Sequence, residues 1–98
     1  MTGAAPDSTG LSILLDGYFH EDFRAEYGDH KGAARAFVRD ASDDERSQAV
    51  AALERFLAWA ATVPRVSWQD ALAAAGGAWR PRSLGPLREV LAVLTGED

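Results

Sequence analysis

With 98 residues, 47% of them hydrophobic, the chain has material for one core and not for two. It has no cysteine, which excludes disulfides and thiolate metal sites and suits a reducing cytoplasm. Its net charge of −5 is concentrated between residues 16 and 45, where nine acids face four bases, so the remainder is balanced.

The nine acids are Asp16, Glu21, Asp22, Glu26, Asp29, Asp40, Asp43, Asp44 and Glu45, and the bases are Arg24, Lys31, Arg35 and Arg39. A face of this sign repels phosphate backbones, so direct nucleic-acid binding is not expected. Its natural complement is a basic protein partner, and the plainer reading is a solvated, solubilising surface. No run approaches the roughly 18 apolar residues of a membrane span, so no membrane contact is expected.

Residues 1–10 lack the basic start and apolar stretch of a signal peptide. Their Gly, Pro, Ser and Thr content reads as a flexible tail, with a single helical domain over 11–98 and a cytoplasmic location.

Leu11, Leu14, Leu15 and Tyr18 recur at i, i+3, i+4, i+7 and predict a first helix, with Phe19 extending the apolar face. Gly17 within it would permit another backbone to come close. Ala34, Phe37, Val38 and Ala41 repeat the spacing behind Asp29, a candidate N-cap. Ser42-Asp43-Asp44-Glu45 reads as a capping box opening a third helix. Val50, Leu53, Leu57 and Ala60 are its expected buried line, and Pro64 closes it.

Ser67 and Asp70 form a weaker box ahead of a helix bearing Trp68, Ala71, Leu72 and Ala75, and Gly76-Gly77 ends that helix. Ala78 to Arg82 reads as a connector in which Trp79 lids the bundle. Ser83 is the expected cap of a last helix carrying Leu84, Leu87, Val90, Leu91 and Leu94, with Pro86 in its first turn. No segment alternates as a half-buried strand does. The fold class is all-α, a compact single-domain bundle of four to five short helices.

The chain concentrates its rarer side chains in Tyr18-Phe19-His20-Glu21-Asp22-Phe23 and in Tyr27-Gly28-Asp29-His30. His20, Glu21, Asp22, Glu26, Asp29 and His30 are all metal-ligand types, but they match neither His-Glu-x-x-His nor an EF-hand loop. On one continuous helix His20 and Glu26 would not share a face. A metal-dependent or acid–base hydrolase centred on His20 and Asp22 is the enzymatic alternative, with a carboxylate orienting the imidazole. No nucleophile elbow or Gly-rich phosphate loop accompanies them.

The structural alternative packs Tyr18, Phe19 and Phe23 in the core and uses His20 and a paired Asp22 to tie helix to loop. Trp68 lies on a core stripe. Trp59 either packs on a neighbouring helix or projects as an interface anchor, and Trp79 shares that second possibility.

The same string resembles a signature of the small helical immunity proteins of bacterial contact-dependent growth inhibition and related polymorphic toxin systems. In them a tyrosine-phenylalanine-histidine-glutamine-aspartate-aromatic string precedes an acidic and glycine stretch. Tyr18, Phe19, His20 and Asp22 match, while Glu21 replaces the usual glutamine and Phe23 stands where tryptophan is common. The likeness covers about Leu11 to Val38.

It implies a protein with no enzymatic role and no cofactor, which binds a cognate toxin domain, often a nuclease, in the cytoplasm of the producing cell. On that implication Glu21, Glu26, Asp29, Asp40, Asp43 and Asp44 are the candidate toxin contacts. Their carboxylates would compete with nucleic acid for the toxin's Arg and Lys groups. Asp43 and Asp44 are equally accounted for by helix capping.

Overall fold

The computed structural model describes residues 6, 7 and 9–97, in which six helices and no strand are present. They are α1 (Thr9–Tyr18), α2 (Phe23–Tyr27), α3 (His30–Asp40), α4 (Asp43–Ala60), α5 (Arg65–Ala75) and α6 (Gly85–Thr95). The all-α class holds, with one helix more than the four to five expected: α2, whose five residues are too few to show an apolar period. Most of the tail expected over residues 1–10 lies outside the described residues, while Thr9 and Gly10 already belong to α1.

α4 is the central rod, lying against α1, α5 and α6, while α3 packs on α1, α2 and α6. The radius of gyration, 12.4 Å, is close to the ~13 Å of a compact chain of this length. One continuous core runs through all six helices, from Leu11, Leu14 and Leu15 to Leu87, Val90 and Leu94.

α1 crosses α4 at Gly10, where an added Cβ would lie 2.6 Å from the Gln48 carbonyl oxygen. The close approach therefore occurs here and not at Gly17, which faces open space. Glycine at the crossing lets the helices approach at backbone distance, and Leu11, Leu14 and Leu15 then bury fully.

The Ser42 box forms as expected. The Ser42 hydroxyl accepts from the Glu45 N–H (3.1 Å), and the Glu45 carboxylate accepts from the Ser42 N–H (2.9 Å). The buried face of α4 is turned from the expected line. Ala49, Ala52, Leu53, Phe56 and Ala60 are buried, whereas Val50 and Leu57 are only partly covered at its edge. Small alanines at the crossings admit the neighbouring helices, and bulkier Val50 and Leu57 serve at the margins.

Two expected caps do not form. α5 begins at Arg65 behind Pro64, so Ser67 lies inside the helix and the Ser67–Asp70 box is absent. Proline's ring holds φ near −62°, which organises the helix entrance earlier than the serine does. α6 starts behind Leu84 without a side-chain cap, so Ser83 stays outside, while Pro86 occupies the first turn as expected.

Trp68 is buried. Trp59 packs edge-on to Phe56, 5.8 Å between centroids. Its indole N–H is buried and finds no acceptor among the described residues. Trp79 is not a lid: it is 4% exposed and inserted in the core.

Candidate partner-binding surface

The string from Tyr18 to Asp29 is organised by a break in the helix. Phe19 keeps its helical bond to the Leu15 carbonyl (3.0 Å), then the chain turns, and Phe23 closes that turn on the His20 carbonyl (3.0 Å). α2 ends at Gly28, whose φ of +89° few other residues adopt.

The break sorts the side chains into an inner and an outer set. Phe19 and Phe23 turn inward onto Trp79, which stacks on Phe19 at 4.6 Å and meets Phe23 edge-on at 6.3 Å. His30 stacks on the same indole at 5.6 Å, and its Nε2 pairs with Glu89 of α6.

The loop carrying Trp79 is held by the first helix. The Asp16 carboxylate accepts from the Gly77 N–H (3.0 Å), and the Phe19 carbonyl accepts from the Ala78 N–H (2.7 Å). Gly77 has φ +70°, and a Cβ there would meet the Leu15 carbonyl oxygen at 2.6 Å. Asp16 thus does what was expected of Asp22. Asp22 is exposed, and its side chain makes no capping bond to α2.

The outer set consists of Tyr18, His20 and Tyr27, each partly exposed. Tyr18 stands edge-on to Phe37 (5.5 Å) and tilted to Tyr27 (5.9 Å), and its hydroxyl donates to Asp40 at 3.1 Å. The other Asp40 oxygen accepts from the Arg39 Nε at 3.2 Å. These bonds from Arg39 and Tyr18 hold the Asp40 carboxyl below the usual aspartate range. Loss of hydration pushes both tyrosine hydroxyls up, Tyr18 further through its bond to Asp40 and Tyr27 through the nearby Glu26 charge. They are neutral donors at physiological pH.

His20 accepts from the Asp22 N–H at Nδ1 (3.2 Å) and meets Glu26 at Nε2 (3.0 Å). Since Nδ1 accepts, the ring proton in the neutral form sits on Nε2 and is donated to Glu26. The expectation that His20 and Glu26 share no face assumed an unbroken helix, and the turn overturns it. Both ring nitrogens of His20 are used in holding that turn. The ligand types of the string are spread over separate pairs, and the described residues contain no group of three or more suited to a metal ion.

Of the six candidate contacts, Asp40 lies on the Tyr18 hydroxyl and Glu26 on His20, the two linked through the Tyr18–Tyr27 ring pair. Glu21 is exposed on the turn. Asp43 and Asp44 are exposed in the first turn of α4, just beyond Asp40. Asp29 stands apart. It caps α3 by accepting from the Gly32 N–H (2.8 Å), which lowers its pKa, and the α3 helix separates it from Asp40 by roughly 16 Å.

Sequence reasoning missed Tyr27, Arg39 and Asp16, and the pairing of His30 with Glu89. Tyr27 stood in the quoted string, but helical spacing cannot carry its relation to Tyr18 across a break.

Fold and surface together describe a small helical protein with acidic and tyrosine side chains exposed over one continuous core. A family model described as CdiI immunity protein matches residues 8–86, and the chain belongs to that family of toxin-neutralising immunity proteins. No curated protein and no solved structure matches the chain. No helix among the described residues is long and apolar enough to cross a membrane.

Proposed function

We propose that the chain neutralises a basic, nuclease-type toxin domain by binding over its active site in the cytoplasm of the cell that makes both. Membership of the immunity family carries the reading. The charge distribution supports the choice of toxin, because a nuclease holds phosphate with Arg and Lys that an acidic face can occupy instead. Glu21, Glu26, Asp40, Asp43 and Asp44 form the proposed contact region, with Asp29 as an outlying contact. Long-range attraction steers the encounter, and the docked protein excludes substrate by bulk and by charge.

The test is affinity capture of the tagged chain from its native cells at low salt, followed by mass spectrometry. The expected partner is a stoichiometric basic polypeptide from the C-terminal end of a large secreted protein. Recovery of no partner from cells shown to make the toxin overturns the reading. Reversing Glu26, Asp40 and Asp44 to Lys together is expected to slow association and flatten its salt dependence. Unchanged binding by that triple variant would mean the acidic face only solubilises.

A further inference from the structure

Two tyrosine rings meet at the ends of α1 and α2 with 5.9 Å between centroids, the Tyr18 hydroxyl donates to Asp40 at 3.1 Å, and Glu26, next to Tyr27 in the chain, is held by His20 at 3.0 Å. Partly exposed rings beside carboxylates suit a cation. The negative face of the ring attracts it within about 6 Å, and the carboxylate oxygens take its N–H donors.

The chain already places a guanidinium on the Asp40 carboxylate. The Arg39 Nε donates to Asp40, and the Arg39 charge acts on both tyrosine hydroxyls. The Arg39 side chain is 71% exposed and Asp40 is 48% exposed, so their pairing is weakly held and open to exchange.

We infer that Tyr18, Tyr27, Asp40 and Glu26 form a guanidinium-binding site that takes an arginine side chain of the toxin, with Arg39 as its intramolecular place-holder. The identity of the partner rests on the toxin-binding reading above, whereas the chemistry of the site does not. Arginine fits better than lysine because its planar fork can lie on a ring while its edge pairs with a carboxylate, and because it sheds water more readily.

The experiment is an NMR titration of the whole chain with N-acetyl-arginine amide, and with N-acetyl-lysine amide for comparison, following the ring protons of Tyr18 and Tyr27. Saturable shifts are expected with the arginine probe and weaker ones with lysine. Asp40→Asn is expected to weaken the arginine probe about 5-fold, and Arg39→Gln to tighten it about 3-fold, changes of the size an exposed cation–π and carboxylate contact provides. Arg39 is exposed, so its loss leaves the core intact, and the direction of its effect is one that a merely structural role would not produce.

Ring shifts that do not saturate, or that ignore both substitutions, overturn the site. The second arm measures the affinity of the captured toxin domain for the wild type, Arg39→Gln and Tyr18→Phe. Tightening by the first and weakening by the second are expected. Equal affinity for all three overturns the site as a toxin contact while leaving the immunity reading standing. A held arginine probe with no toxin bound by the wild type overturns the toxin as occupant and leaves the site.

Discussion

Tyr18 and Phe19 are neighbours in the chain and belong to different parts of the molecule. Phe19 is wholly buried, stacked on Trp79, with its carbonyl fastened to the loop that carries that indole. Tyr18 lies partly exposed, with its hydroxyl on Asp40. The division continues along the string, with Phe23 facing in and His20 and Tyr27 facing out. A single signature therefore encodes a structural half, which fixes α1 against the α5–α6 loop, and a surface half, whose rings are partly exposed. Much of what makes the string distinctive serves folding, His20 included, since both its ring nitrogens hold the turn.

Substitutions that separate stability from binding test this division. The largest effect is expected from Trp79→Ala, which removes the ring that Phe19, Phe23 and His30 all touch. It should cost about 3–5 kcal/mol in urea unfolding, as other aromatic-to-alanine core changes do. A loss under about 1 kcal/mol would mean that the inner half is not a core at all.

Gly77→Ala comes next. Its left-handed φ and the Leu15 carbonyl at 2.6 Å from the added Cβ predict a loss of about 1–3 kcal/mol, read as a lower Tm. Tyr18→Phe keeps the ring and deletes only a partly exposed hydroxyl. It should change stability by less than about 1 kcal/mol, so a larger loss would move Tyr18 to the inner half.

The smallest effect concerns acid. The bond from the Gly32 N–H holds the Asp29 carboxyl below its ordinary range in the folded chain. The stability it adds is full above the unfolded pKa, around pH 4, and is lost as pH falls through the lower folded value. Asparagine caps about as well without titrating, so Asp29→Asn should flatten the acid limb of a stability–pH curve and leave neutral stability nearly unchanged. An unaltered acid limb would show that the cap bond does not depend on charge.

Much of the fold was legible because its signals are local. The period of Leu11, Leu14 and Leu15, the Ser42–Glu45 box, the Asp29 cap and the Gly76-Gly77 stop each act over a turn or two of backbone, and each appears in the structure. The weaker caps at Ser67 and Ser83 failed because Pro64 starts α5 earlier and α6 enters behind Leu84. Of the candidate surface, the sequence supplied the acids and the string but no relation between them, since His20 and Glu26 meet only once the helix is broken.

By itself the sequence determined an all-helical chain, where α3 and α4 begin and α5 ends, an acidic stretch over residues 16–45, and the signature of its family. These follow from backbone hydrogen bonding, side-chain spacing and formal charge, which need no distant residue. Only the tertiary structure decided that the helix breaks after Tyr18, that Trp79 enters the core between Phe19 and His30, and that Tyr18 and Tyr27 meet beside Asp40. Those outcomes depend on which surfaces exclude water against one another when the helices close, and that competition is settled across the whole core.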